Sequence, residues 1–155
     1  MKVMFISSTG GHLNELMQLK KLFKKYDYYI VTEKTKSNMY LKEEYPGRVS
    51  YLVYGTKDHM LTYPFKLLFN IFLCFLIYFK FRPEYIVTTG AHVGGVMALI
   101  GKIFGSKIIY IETFANIRTK TITGKLVYHF ADLFLVQWRG MLELYPKALY
   151  GGWIF

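Results

Sequence analysis

The sequence is poor in cysteine and in acidic residues. Cys74 is its only cysteine among 155 residues, so no disulfide can form within the chain, and a small secreted fold held by disulfides is excluded. Ten Asp and Glu residues stand against 20 Lys and Arg residues, which gives a formal net charge of +10. This excess of positive charge favours an anionic partner, such as a nucleic acid, a phosphorylated ligand or an acidic membrane surface.

The chain also lacks an internal linker. No repeat, low-complexity stretch or Pro/Gly-rich segment divides it, and its length fits one ordinary domain, so we expect a single domain over residues 1–155. Because 53% of the residues are hydrophobic, disorder is excluded. The first apolar run turns into a polar, glycine-containing stretch at Ser7, too soon for a signal peptide, which favours a cytoplasmic location.

Short apolar runs alternate with helical patterns along most of the chain. The predicted strands are residues 2–7, 28–32, 50–54, 85–88, 107–111 and 133–136. The predicted helices are residues 12–25, 93–104 and 122–131, and residues 33–48 are interpreted as a loop with about one helical turn. This alternation predicts a parallel sheet with right-handed crossovers, that is, a Rossmann-like α/β domain.

One segment, at about residues 64–80, departs from this pattern. Asn70 is the only clearly polar residue in residues 67–79, so the helix is apolar all round and unlike an ordinary surface helix. Thirteen residues give roughly 20 Å, short of the ~30 Å hydrocarbon layer. With Lys66 and Lys80 near its ends, we predict a helix lying in or dipping into one leaflet. A helix buried in a core or partner interface is the alternative, and a full span is disfavoured.

Neither a dinucleotide fingerprint nor a Walker A loop is present. Instead, three polar or glycine-rich loops each follow a predicted strand, at residues 7–16, 88–95 and 112–120. Ligands of open α/β sheets bind outside the carboxyl ends of the strands. We therefore expect these three loops to converge on one crevice.

The first loop contains Thr9, Gly10, Gly11, His12 and Asn14. Its glycines allow the backbone to approach a ligand closely, and the following helix would point free N–H groups at an anion. His12 could act as a base or bind a sugar or phosphate. It could equally be a capping residue.

The second loop contains Gly90, His92, Gly94 and Gly95. Its exposed backbone donors suit an oxygen-rich ligand. Tight packing of a helix on a strand is the alternative, since Gly94 and Gly95 alone would serve it.

The third loop contains Glu112, Asn116, Arg118 and Lys120. Glu112 and Asn116 can bond hydroxyl groups, and the two basic residues can bind a phosphate or diphosphate. A solvated polar loop is the alternative.

Other residues suggest no further site. No Cys/His cluster has metal-ligand spacing, so a metal site is not expected. His59 and His129 are interpreted as structural or solvent-facing, and Cys74 as a small hydrophobic residue. No RNA-binding or helix-turn-helix motif is present, so nucleic acid is not an expected partner.

Three motifs in order carry a family resemblance: Thr-Gly-Gly-His at residues 9–12, G-x-x-x-G-G at 90–95 and E-x-x-x-N at 112–116. With these, the chain resembles the N-terminal half of GT-B glycosyltransferases related to the peptidoglycan lipid N-acetylglucosaminyltransferase. It resembles more closely the stand-alone subunit of split versions. These are the membrane-anchoring subunit of the dolichol-diphosphate N-acetylglucosamine transferase and the accessory subunit of bacterial capsular and exopolysaccharide transferases.

The resemblance implies metal-independent, inverting transfer of a sugar from a UDP-sugar to a polyprenyl-diphosphate-linked acceptor. This chain would bind the acceptor and the membrane. A separate chain, the C-terminal GT-B half, would bind most of the UDP-sugar, so this chain would be inactive alone and would need no cofactor of its own.

The resemblance also implies roles for single residues. Gly10 and Gly11 would face the diphosphate, and His12 and Glu112 become the candidate catalytic residues, with His12 as base or acceptor contact. Residues 145–155 would dock the partner chain.

One departure from the family concerns the membrane. The eukaryotic subunits carry an N-terminal transmembrane helix, whereas this sequence begins at its first strand. We therefore expect a monotopic or peripheral protein on the cytoplasmic face, attached through the apolar segment. Two other hypotheses stay open: a non-catalytic membrane recruiter of another protein, and a small self-sufficient nucleotide-binding Rossmann enzyme.

Overall fold

Seven parallel strands form one sheet in the computed structural model, which describes residues 1–55 and 63–155. The strand order is β3-β2-β1-β4-β5-β6-β7. The strands are β1 (Lys2–Ser7), β2 (Asp27–Glu33), β3 (Val49–Leu52), β4 (Tyr85–Thr88), β5 (Lys107–Ile111), β6 (Leu133–Val136) and β7 (Leu149–Tyr150). The order reverses between β1 and β4, as in a doubly wound sheet. The predicted Rossmann-like parallel sheet is confirmed.

The helices lie on both faces of the sheet, as right-handed crossovers require. They are α1 (Gly11–Gln18), α2 (Lys20–Phe23), α3 (Leu41–Glu44), α4 (Tyr63–Phe81), α5 (His92–Ile103), α6 (Ile122–Val127) and α7 (Met141–Leu144), with one 3₁₀ turn at Lys36–Asn38. His59 lies outside the described residues.

Strand β1, which lies between β2 and β4, is buried on both faces, and this is why its residues 3–6 form an uninterrupted apolar run. Met4 and Ile6 belong to the core beneath α4 to α7, whereas Val3 and Phe5 belong to the core beneath α1 to α3. The register pairs Ser7 with Thr32 on the neighbouring strand. This alignment brings the carboxyl ends of the central strands, and the loops that follow them, to one edge of the sheet.

Several predicted boundaries need correction. The predicted helix 12–25 is two helices, because the chain turns at Leu19, whose N–H bonds to the carbonyl of Leu16 over 3.0 Å. The helix predicted to reach residue 131 ends at Val127. Strand β7 was not predicted, since two residues are too few to show a strand pattern.

Helix α4 is longer than predicted. Its 19 residues span about 28 Å, so it is long and apolar enough to cross a membrane by length and composition. One stripe is buried against the domain, formed by Asn70, Cys74 and Tyr78. The Asn70 side chain accepts from the N–H of Val53 and donates to its carbonyl, both over 2.8 Å. The buried stripe fixes one side of α4 to the domain and leaves the opposite side exposed.

Candidate functional site

The first two loops are joined by two hydrogen bonds at the carboxyl edge of the sheet. The N–H of Ser8 donates to the carbonyl of Gly90 over 3.0 Å. The hydroxyl of Thr89 donates to the carbonyl of His12 over 2.8 Å. These bonds hold His12, in the first turn of α1, against the second loop.

The third loop is joined to the first through Glu15, a residue not predicted to belong to the site. Its Oε1 accepts from the hydroxyl of Thr113 over 2.7 Å and from the N–H of Phe114 over 3.0 Å. The three loops therefore converge on one crevice, as their positions after neighbouring strands predict.

A pocket of about 320 Å³ opens between these loops and the start of α6. Three of the predicted residues line it: His12, His92 and Lys120. The ammonium group of Lys120 lies 5.1 Å from the centre of the Tyr145 ring, a contact that holds a cation at the pocket wall. The other lining residues are Ala91, Tyr110, Thr121, Ile122 and Thr123.

Glu112 lies behind this pocket and is only 1% exposed. Its carboxylate accepts from the hydroxyl of Tyr145 over 2.8 Å, from that of Thr121 over 3.0 Å and from the N–H of Thr113 over 3.1 Å. Burial raises the pKa of Glu112 above its usual value, although these hydrogen bonds act in the opposite direction. The arrangement favours a positioning role for Glu112; its catalytic role stays a prediction.

The two glycines at the start of α5 face the protein interior. A Cβ on Gly94 would overlap the hydroxyl of Thr88, and one on Gly95 would lie 3.0 Å from the Cγ2 of Thr123. Both glycines therefore allow close packing, which was the alternative interpretation of this loop. Gly90 differs, since its φ of +94° suits glycine, and a Cβ added there would lie 3.3 Å from the Tyr110 hydroxyl.

The remaining predicted residues lie outside the pocket lining. Thr9 lies beside the 3₁₀ turn that follows β2, where its hydroxyl accepts from the side-chain amide of Asn38 over 3.2 Å. Asn116 accepts from the hydroxyl of Thr119 over 2.7 Å. The others are exposed: Gly10, Gly11, Asn14 and Arg118. Contacts of these six residues with a ligand stay predictions.

Some pocket residues escape prediction from sequence. Tyr110 belongs to a buried strand and resembles an ordinary core residue. Thr121 carries a clearer signal, because threonine before a helical pattern is a typical N-cap. Its hydroxyl accepts from the N–H of Gly124 over 2.9 Å.

An apolar groove continues from the pocket. Its volume is about 210 Å³, and it shares His92, Ile122 and Thr123 with the pocket. The rest of its wall is mostly aliphatic: Leu67, Gly95, Val96, Leu99 and Leu126. The two cavities together form a site with basic and hydroxyl side chains at one end and a mostly aliphatic wall at the other.

No group of three or more His, Cys, Asp or Glu residues that could hold a metal ion occurs within residues 1–55 and 63–155.

Comparison with known protein families gives a match over nearly the whole chain. The family model described as "Oligosaccharide biosynthesis protein Alg14 like" matches residues 3–154. The chain belongs to this family. The family resemblance predicted from the three motifs is therefore confirmed.

Curated relatives are similar along most of their length. The human UDP-N-acetylglucosamine transferase subunit ALG14 is 26% identical over 182 residues, covering 98% of this chain and 82% of the human protein. The Schizosaccharomyces pombe subunit of the same name is 30% identical over 166 residues, covering 93% of this chain and 79% of that protein.

Solved structures share the fold at low sequence identity. Acinetobacter baumannii MurG gives a TM-score of 0.73 with 16% identity, covering 90% of this chain and 42% of MurG. The UDP-GlcNAc 2-epimerase of Methanocaldococcus jannaschii gives a TM-score of 0.71 with 14% identity, covering 97% of this chain and 45% of the epimerase. The chain thus spans less than half of each, and the predicted fold, half of a GT-B protein, is confirmed.

Proposed function

We propose that this Alg14-like chain is the membrane-associated acceptor-binding subunit of a two-chain glycosyltransferase. The enzyme would transfer a sugar, with N-acetylglucosamine as the first candidate, from a UDP-sugar to a polyprenyl-diphosphate-linked saccharide. The curated relatives are named as UDP-N-acetylglucosamine transferase subunits, which supports the donor class. The observation that carries the acceptor class is the continuity of the polar pocket with the apolar groove.

A polyprenyl diphosphate is charged at one end and apolar along the rest. In the pocket, Lys120 offers the diphosphate a cation and His12 a hydrogen-bonding group. In the groove, Leu99 and Leu126 offer the first isoprene units an apolar wall. A free nucleotide would leave this wall unused, which favours a lipid-linked acceptor over a nucleotide cofactor.

The proposed membrane surface is the exposed apolar side of α4, α5 and α6. Phe65, Leu68 and Phe72 on α4 are 77%, 72% and 56% exposed, and Ile103 and Ile122 on the next two helices are 66% and 70% exposed. Contiguous apolar exposure of this kind marks an interaction surface. The groove opens among the same helices, so a lipid acceptor could enter it directly from the cytoplasmic leaflet.

The proposed partner surface lies near the C-terminus. Trp153 is 72% exposed, and its ring lies 5.6 Å from that of Phe114 in the third loop. Leu149 on the edge strand is 58% exposed. A second chain bound here would reach the same crevice, where it could present the UDP-sugar to the acceptor.

The proposed reaction is a single inverting displacement. The acceptor hydroxyl oxygen attacks the anomeric carbon of the donor, the bond from that carbon to the UDP oxygen breaks, and His12 takes the hydroxyl proton. Lys120 and Arg118 would offset the charge of the lipid diphosphate. The step consumes only the donor and the acceptor, so we propose no metal ion or further cofactor.

The deciding experiment compares the chain alone, its candidate UDP-sugar-binding partner alone and the two co-purified. We expect radiolabelled sugar to pass from UDP-N-acetylglucosamine to a polyprenyl-diphosphate acceptor only with both chains present. Comparing a capsule-type acceptor with a lipid-linked oligosaccharide acceptor would show whether the enzyme serves polysaccharide or lipid-linked oligosaccharide synthesis. Turnover by the isolated chain, or its tight binding of NAD or ATP, would instead support the self-sufficient enzyme.

Phe72 and Leu76 both lie on the exposed side of α4, at 56% and 53% exposure. Replacing the two together by aspartate should reduce sedimentation with phosphatidylcholine–phosphatidylglycerol vesicles at least about tenfold, because burial of each side chain contributes roughly 1.5–3 kcal/mol. The control is Met39→Asp, since Met39 is 52% exposed and precedes α3 on the other face of the sheet. Equal sedimentation of the double variant and the wild type would contradict the proposed surface.

A further inference from the structure

Two buried polar atoms face each other beside the pocket without a hydrogen-bond partner. Among the described residues, Nδ1 of His12 and Oε2 of Glu15 are both buried and unpaired. They lie 3.9 Å apart, three residues from each other on α1. The other carboxylate oxygen of Glu15 is already held by the third loop. An unpaired buried polar atom is costly, and here each atom has its complement within about 1 Å of bonding distance.

We infer that Glu15 is the positioning residue of His12, an inference that rests on the proposed transfer reaction. Its Oε2 accepts Nδ1–H, which fixes the imidazole tautomer and leaves the lone pair of Nε2 directed toward the acceptor hydroxyl. A small rotation closes the 3.9 Å gap when the acceptor fills the pocket, as catalytic hydrogen bonds often tighten on binding. When His12 takes the proton, the adjacent carboxylate stabilises the imidazolium.

The other acid of the site is committed elsewhere. Glu112 accepts from Thr113 after β5, from Thr121 at the N-cap of α6 and from Tyr145 just after α7, so both of its oxygens are occupied. Glu15 has one oxygen tied and one unpaired. The two acidic residues therefore have different roles. Glu112 stabilises the residues behind the pocket, whereas Glu15 binds the third loop through one oxygen and is the proposed partner of the His12 imidazole through the other.

The key variant is Glu15→Gln, since it keeps an acceptor oxygen for Thr113 and Phe114 but places an amide N–H₂ opposite Nδ1. We expect kcat of the two-chain complex to fall about 100-fold with KM changed less than about threefold, because the imidazole adopts the wrong tautomer. Thr113→Val removes the hydroxyl that donates to Glu15 and accepts from the N–H of Ala115, leaves the N–H of Phe114 on Glu15, and should alter KM while kcat stays within about threefold. Gln18→Ala, on an exposed position of the same helix, is the control for helix stability.

A second readout does not depend on catalysis. The ¹⁵N shifts of the His12 ring, recorded in the two-chain complex with bound acceptor and no donor, should show the Nδ1–H tautomer of the neutral imidazole in the wild type and a shift toward Nε2–H in Glu15→Gln. Unchanged ring shifts in the variant would overturn the inference, and so would an unchanged kcat in an active complex. A tautomer change in a complex that transfers no sugar would sustain the His12–Glu15 contact and refute the proposed function.

Discussion

Replacing Gly124 by alanine is expected to lower the melting temperature by roughly 4–8 °C, equivalent to about 2 kcal/mol for a domain of this size. An added Cβ would overlap Oε2 of Glu112 and lie 2.6 Å from the hydroxyls of both Thr121 and Tyr145. Overpacking costs about 1–3 kcal/mol, and loss of a hydrogen bond to a charged group costs about 1.5–3 kcal/mol. Helix propensity opposes this, because alanine is favoured over glycine by only about 1 kcal/mol.

The direction of the stability change in Gly124→Ala shows whether steric overlap or helix propensity dominates at this position. Gly140→Ala is the matched control, since nothing lies within 4 Å of the Cβ it would add and its φ of −60° suits alanine. Thermal unfolding followed by circular dichroism should show a change of less than about 0.5 kcal/mol for this variant. A Gly124→Ala variant at least as stable as the wild type would show that the carboxylate network around Glu112 does not constrain α6.

Much of the fold follows from hydrophobic periodicity. Strands β4, β5 and β6 begin and end where the apolar runs predict, because a buried parallel strand is apolar on both faces. The break in the first predicted helix could not be predicted in this way, since Leu16, Leu19 and Phe23 keep a helical spacing across it. Phe23 of α2 stacks on Tyr28 of β2 with ring centres 4.8 Å apart, a tertiary contact that this spacing does not reveal.

The convergence of the three loops could also be predicted, because it depends on topology alone. The sequence does not predict which side chains of each loop face the pocket. Lys120 lines the pocket whereas Arg118, two residues earlier, is exposed. Gly94 packs closely on Thr88 and Gly95 on Thr123, contacts that the spacing of the glycines does not reveal, and Gly95 also lines the apolar groove. Glu15 is missed because an acidic residue on an amphipathic helix is ordinarily exposed.

Replacing His12 by alanine is expected to reduce kcat of the two-chain complex by about 10²–10⁴-fold, the usual contribution of a general base. His12 lines the pocket, and its carbonyl is held by Thr89. The backbone bond survives the substitution, so the loop should keep its place. The measurement is steady-state transfer of radiolabelled sugar to the lipid acceptor, with the melting temperature of each variant recorded alongside.

Two other histidine variants test whether the loss of kcat is specific to His12. His129→Ala should leave the rate unchanged, because His129 is exposed between α6 and β6, at the opposite edge of the sheet from the loops. His92 lines the same pocket, and His92→Ala should raise KM more than it lowers kcat if it only contacts the acceptor. If His12→Ala keeps a rate within about threefold of the wild type, proton transfer belongs to another group, and the membrane-recruiter hypothesis becomes the better account of this chain. Loss of kcat in His92→Ala alone would move the base to the second loop and leave Glu15 without a catalytic partner.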